Sequence, residues 1–324
     1  MTAESSVSSE TEVDTTADLP QKKIKGLRKL KLWFSSPYMC LIYSFAFGSL
    51  GAFAMQPTGY WPLLIAGLSG LYSLLANIKG SALSFGLGWM FGFGYFLFSL
   101  SWIGNALLVE NNDYRWAYPL ALCGLPALLA FYTGCASLIA RKADLKKLPG
   151  FFFFIGIFGL FEWLRGVLFT GFPWNLYGYS WAGTLEMAQL VSLIGIYGLS
   201  LLTIAAFALP GFITVNADKP PRVWLTGVMI FAALLAGYIF GYARLADNPT
   251  RFDTATRIVV VQPDIRQADK WDQNLLNENY MTHLDVTRDA GRELSLNRAE
   301  KAAHTFVVWP ESAITPRIFD SLQK

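Results

Sequence analysis

Seven apolar runs follow one another through the first three quarters of the chain, at 38–56, 60–77, 82–108, 116–140, 149–168, 187–214 and 222–243. About 20 apolar residues are needed to carry a helix across the hydrocarbon core of a bilayer. The pattern therefore predicts seven membrane helices. The first two runs are short and are joined by a tight turn at Pro57-Thr58-Gly59. The third is rich in Gly and Phe, and Gly88, Gly92 and Gly94 are placed to let backbones approach closely, as small residues do where membrane helices pack. No repeat of 20–50 residues is visible.

The pattern changes after Asn248-Pro249. The β-branched run Arg257–Gln262, closed by Pro263, predicts a buried strand. Residues 273–300 are polar with apolar positions at Leu275, Leu276, Tyr280, Leu284 and Val286, which predicts a helix packed on one face. His304–Trp309, closed by Pro310, predicts a second strand. Strand, helix and strand within so short a span make a βαβ unit, whose strands should be parallel.

Charge divides the chain at the same places. Of 324 residues 15% are charged, against about 25% in an ordinary soluble domain. Residues 33–243 hold 15 of the 49 charges, while residues 1–32 hold 11 and residues 244–324 hold 23. A single soluble globule does not segregate charge this way. The first 20 residues are Ser, Thr, Glu and Asp with almost nothing to bury, so they are expected to be disordered. The basic run from Lys22 to Lys31 follows, with no cleavable signal pattern after it. With the N-terminus inside, the inner segments carry thirteen Lys or Arg and the outer loops two, Arg115 and Arg165. That asymmetry makes the basic N-terminal run a cytoplasmic anchor and places residues 244–324 outside, which in a bacterium means the periplasm. A net charge of +3 is not the excess of a nucleic-acid binder.

Candidate chemistry is sparse. Cys40, Cys123 and Cys135 sit in apolar stretches without CxxC spacing, so neither a disulfide framework nor a metal site is expected, and no cofactor is implied. Residues 161–181 hold Glu162 and Arg165 at i, i+3, where they can pair on a helix, among Phe, Trp and Tyr. Two readings stand for this stretch: an aromatic belt in the headgroup zone, or the floor of a lipid-handling site with a functional charge pair. Glu311 follows the second strand, at the carboxyl end where functional groups of open α/β sheets gather. His283 and His304 are lone and separated, and both are read as incidental.

Together these residues resemble a known family. Glu162-Trp163-Leu164-Arg165-Gly166 with Phe169-Thr170-Gly171-Phe172-Pro173-Trp174, then Val261-Gln262-Pro263 and Lys270-Trp271-Asp272, then Val308-Trp309-Pro310-Glu311-Ser312-Ala313, stand in the order found in bacterial apolipoprotein N-acyltransferases. The resemblance covers roughly residues 38–317. It implies an acyl chain taken from a phospholipid through a cysteine thioester and passed to the α-amino group of the diacylglyceryl-cysteine of an apolipoprotein. It implies a nitrilase-type Glu, Lys, Cys triad in which Glu311 matches the general base, and it makes Trp271 a functional aromatic beside the active site. Trp309, Glu162, Arg165 and Trp174 are the further substrate-binding candidates.

The expected organisation is a basic, disordered cytoplasmic tail (1–37), a polytopic α-helical membrane domain (38–243) and the start of an α/β nitrilase-like αββα sandwich (244–324). The expected partners are a phospholipid donor, an apolipoprotein acceptor and membrane lipid, with no nucleic acid. Family members carry the triad Lys and Cys well beyond the Glu, and this sequence stops thirteen residues after Glu311. The expectation is a truncated N-terminal portion, inactive by itself. A transporter with a small extramembrane cap and a non-catalytic membrane scaffold remain as alternatives. The former is disfavoured because its spans carry almost no charge and no inverted repeat.

Overall fold

The computed structural model describes residues 36–108, 112–217, 220–266, 269–296 and 303–310. Helix α1 (Pro37–Ala52) opens on Ser36, whose hydroxyl accepts the Met39 N–H at 3.3 Å, with Pro37 in the first turn where its missing donor costs nothing. Helix α2 (Pro62–Asn77) begins on a proline in the same way. There follow α3 (Ser81–Ser99), α4 (Leu125–Ala140), α5 (Leu148–Val167), α6 (Val191–Val215) and α7 (Pro220–Asp247). In hydrocarbon each backbone donor and acceptor needs an internal partner, which is why apolar runs of this length fold as helices. Helix α6 is kinked at Gly195, which takes φ 65°.

Five helical stretches among the described residues are long and apolar enough to cross a membrane: Ser81–Ser99, Arg115–Ala140, Leu148–Val167, Val191–Val215 and Val223–Asp247. Helices α1 and α2 have 16 residues each, about 24 Å at 1.5 Å per residue, short of a core about 30 Å thick. The third apolar run does not form one helix to Leu108. Helix α3 stops at Ser99 and a 3₁₀ segment runs from Ser101 to Leu108. Nineteen helical residues already reach about 28 Å, and the Asn175 amide captures the Ser99 carbonyl at 3.2 Å, satisfying it from outside the helix. The fourth run starts with a 3₁₀ turn at Arg115–Ala117 and a π turn at Leu120–Gly124 before α4 proper.

The chain divides into two compact units, with boundaries after Leu100, Gly124 and Tyr238. In the first, α3 packs against α1 and α4, and α2 lies between α1 and α6. Tight packing of α3 on α4 depends on glycine: a methyl on Gly88 would overlap the Thr133 carbonyl and the Ser137 side chain. The core is aromatic. Tyr72 meets Phe151, Phe154 and Phe212 edge-on at centroid distances of 5.7, 5.0 and 6.2 Å, a geometry the ring quadrupoles favour.

The second unit contains β1 (Thr256–Val260), α8 (Leu276–Leu296) and β2 (His304–Val308). The strands are parallel as expected, with Thr256 opposite His304 and Val260 opposite Val308. The expectation of a buried first strand does not hold among the described residues, where Ile258 is 65% and Val260 73% exposed. Thr256, Arg257 and Val259 of β1 are half-buried, and every residue of β2 is exposed. His283, read as incidental to the chemistry, has a place in the packing of this unit. It is buried on α8, its Nδ1 lies 2.7 Å from the Asn279 carbonyl, and its ring sits 5.2 Å from that of Trp309.

Candidate functional site

The last turns of α5 carry Glu162 and Arg165, 6% and 3% exposed. A charge pair buried this deeply is costly unless its hydrogen bonds are filled. Here Arg165 spends its bonds on backbone and Glu162 one oxygen, while Glu162 Oε2 is buried without a hydrogen-bond partner among the described residues. Arg165 donates to the carbonyls of Phe172 and Trp174, both at 2.7 Å, and its guanidinium lies 5.0 Å over the Phe96 ring. Glu162 accepts the Tyr177 N–H at 2.9 Å, and the two charges stand 3.8 Å apart. Among the described residues the spans thus bury this charge pair, the one the i, i+3 spacing predicted, and it acts as a clamp on the segment that follows α5.

That segment needs a clamp. Phe169, Thr170 and Asn175 take φ of 50°, 75° and 54°, a left-handed conformation costing about 1 kcal/mol or more for a residue other than glycine. Gly171 takes φ 83°, and a methyl there would overlap the Gly166 carbonyl. Hydrogen bonds to a charged group contribute about 1.5–3 kcal/mol each, so the Arg165 and Glu162 bonds offset the strain. Helix α3 adds two more anchors, the Tyr95 hydroxyl to the Asn175 carbonyl at 3.0 Å and the Asn175 amide to Ser99. Downstream, Ser200 accepts the Gly178 N–H at 3.0 Å, and the Trp181 indole donates to Thr203 at 2.8 Å.

Between α4, α5 and this segment lies an apolar cavity of about 400 Å³. Leu128, Phe131 and Cys135 line it from α4, Leu164 from α5, and Phe169 and Phe172 from the clamped segment. Ligand sites commonly enclose about 300–1,000 Å³ behind apolar walls with few polar groups. Arg165 is the charged residue at its edge. Phe169 is 90% and Trp174 57% exposed, and exposed aromatic rings at the end of an apolar helix suit the headgroup zone of a bilayer. The segment thus combines exposed aromatic rings with a buried charge pair and a cavity.

The structure brings Glu162, Arg165 and the backbone of Trp174 together. Trp271 and Trp309 belong to the second unit. Trp271 ends the 3₁₀ turn Asp269–Trp271. Trp309 follows β2 and packs on α8, its indole donating to Thr287 at 3.0 Å and its ring 5.9 Å from Tyr280. Glu311 lies outside the described residues. Sequence reasoning missed Tyr95, Phe96, Asn175, Tyr177 and Ser200. A polar residue inside an apolar helix, as Ser200 is, was the one signal pointing to them.

An array of long apolar helices enclosing a buried ion pair and an apolar cavity defines a multi-pass helical membrane protein. Residues 47–209 match the family described as the apolipoprotein N-acyltransferase N-terminal domain. Proteins named apolipoprotein N-acyltransferase from Rhodopseudomonas palustris and Allorhizobium ampelinum are each 34% identical to this chain, over 281 and 282 residues, covering 82% and 84% of it and 50% and 51% of themselves. A protein of the same name from Brucella suis is 39% identical over 237 residues, 72% of this chain and 42% of that one. The chain belongs to the apolipoprotein N-acyltransferase family. It spans about half the length of the curated relatives it matches.

Proposed function

We propose that this chain forms the membrane-embedded part of an acyltransferase that moves a fatty acyl chain from a phospholipid, by way of a cysteine thioester, to the α-amino group of the diacylglyceryl-cysteine of an apolipoprotein. The observation that carries this reading is the 400 Å³ apolar cavity walled by α4, α5 and the segment clamped by Glu162 and Arg165. An acyl chain fits such walls, and burying it gains about 0.8 kcal/mol per methylene. Trp174, on the aromatic rim, is where the ester and headgroup would rest.

In this reading residues 244–324 begin a nitrilase-like domain, which the parallel βαβ unit supports. Glu311 is the general base for the thiol. A thiol with a pKa near 8.5 is only a few per cent thiolate at neutral pH, so the reaction needs such a base. Trp271 and Trp309 flank that chemistry, and a lysine at the carbonyl oxygen stabilises the tetrahedral intermediate. All seven apolar runs cross a bacterial inner membrane, with α1 and α2 as short spans, the N-terminus cytoplasmic and residues 244–324 periplasmic. The basic asymmetry supports this orientation. A transport pathway would need ionisable groups available to a solute, whereas Arg165 is committed to the carbonyls of Phe172 and Trp174, and Glu162 is buried against it with one oxygen on the Tyr177 N–H.

The test is a chimaera in which residues 36–324 replace the matching part of the Rhodopseudomonas palustris relative. Given a phospholipid with an alkyne-tagged acyl chain and a diacylglyceryl peptide, it should yield N-acylated peptide. Glu311→Gln should lower the rate about 10²–10⁴-fold, the usual cost of losing a general base. A folded chimaera that transfers nothing would leave the scaffold reading in place.

A further inference from the structure

A second recess lies on a different set of helices. Helix α2 presents its Leu64, Leu68, Leu71, Tyr72 and Leu75 face to the core, all fully buried. Its other face, running from Ala66 to Asn77 at i, i+3, i+4, i+7, i+8 and i+11, is the floor of a groove of about 820 Å³. Helix α1 from Cys40 to Phe47 forms one wall and α6 from Pro210 to Thr214 the other. The floor covers eleven residue steps, about 17 Å at 1.5 Å per step. That is a little more than the thickness of one leaflet's hydrocarbon, half of a core about 30 Å thick.

The lining suits an apolar chain. Ser69, Asn77 and Thr214 donate to helix carbonyls of Phe207, Ser73 and Pro210 at 2.6, 2.9 and 2.7 Å, so each spends a donor inside the protein. The mouth is basic. Ile78, the last residue of the lining, has its carbonyl held by Arg141 through two bonds of 3.2 and 3.1 Å, which fixes a guanidinium at that end. Lys79 and Lys142 are exposed beside Ile78 and Arg141. Asp144, the acidic residue of the same loop, is paired with Lys147 at 3.3 Å. The candidate site described above lies at the other end of the bundle, around the C-terminal turns of α5 and the N-terminal half of α4.

We propose that this groove binds an anionic phospholipid, with one acyl chain along α2 and the phosphate between Lys79, Arg141 and Lys142. Charge selects the occupant. A leaflet-length apolar slot accepts any acyl chain, and a cationic mouth favours a lipid of net negative charge over a zwitterionic one. The site is independent of the acyl-transfer reading, since it uses none of the same residues and holds lipid without chemistry.

The test places the full chain in phosphatidylcholine bilayers doped with phosphatidylglycerol whose acyl chain carries a diazirine. Photoadducts are then mapped by mass spectrometry. Parallel samples carry the same chain on phosphatidylcholine or as the free fatty acid. Phosphatidylglycerol adducts should concentrate on residues 40–47, 66–78 and 210–214, well above the other two probes. Lys79→Gln and Lys142→Gln should each weaken this labelling about fivefold, the effect of one charge near an anionic headgroup. Ser73→Trp, which fills the floor, should remove it while labelling of α7 persists. Equal labelling by phosphatidylcholine, preference for the free acid, adducts spread evenly over all lipid-facing helices, or a groove left unlabelled would each overturn the proposal. If Ser73→Trp fails to fold, as judged by its unfolding midpoint in detergent, the two charge variants decide the matter, because both lie in exposed loops.

Discussion

Arg165 does more for this molecule than its position near a helix end suggests. It holds two carbonyls of a strained segment, faces Glu162 and covers Phe96, all out of contact with water. Breaking a buried pair by removing one partner costs about 3–5 kcal/mol, because the other charge is left stranded. Arg165→Met should therefore lower unfolding stability in detergent by about that amount, and Glu162→Gln combined with Arg165→Met should lower it by less. Urea or dodecyl sulfate titration of the purified chain reads this out. Equal losses in the single and double variants would show that the carbonyl bonds alone matter. The i, i+3 spacing predicted the pairing, but the commitment to Phe172 and Trp174 was not legible, because it depends on how the chain turns after α5. The same is true of Asn175, whose left-handed backbone and two contacts with α3 leave no mark in a hydropathy pattern.

At the level of helices and strands, the sequence predicted where apolar segments lie better than where each one ends. Gly88 and Gly92 were read as sites of close approach, and they pack against Thr133 and Ala130 of α4. The third run was extended nine residues too far, since Ser101–Leu108 is as apolar as the helix before it and what stops α3 is a side chain 76 positions away. In the second unit, the apolar runs closed by proline and the helix between them predicted the two parallel strands, but a β-branched run reads the same whether its faces are covered or open. Orientation is the testable property here. A phosphatase that matures only in the periplasm should be active when fused after Asn248, beyond α7, and silent when fused in the loop after Arg141. The opposite pattern, or a silent fusion at Asn248, would sink the seven-span arrangement.

Taken whole, the membrane unit is a helical frame with two recesses of different character, one beneath a clamped aromatic segment and one opening between basic loops. Family membership follows from residues 47–209, and the frame those residues build is what positions the first recess. An acyl-chain site there makes a prediction about selectivity as well as about rate. Leu128 lines the cavity from α4 and is otherwise exposed, so a larger side chain can be placed there without disturbing the core. Leu128→Trp would shorten the space left for a chain. A pocket that loses room for a methylene discriminates about 10-fold or more against the longer ligand. The measurement is the ratio of kcat/KM for phospholipid donors with sixteen-carbon and twelve-carbon chains, in the chimaera and its Leu128→Trp variant, with about 10-fold loss of preference for the longer chain predicted. A ratio unchanged by the substitution, with both donors affected alike, would contradict an acyl chain lying between α4 and α5.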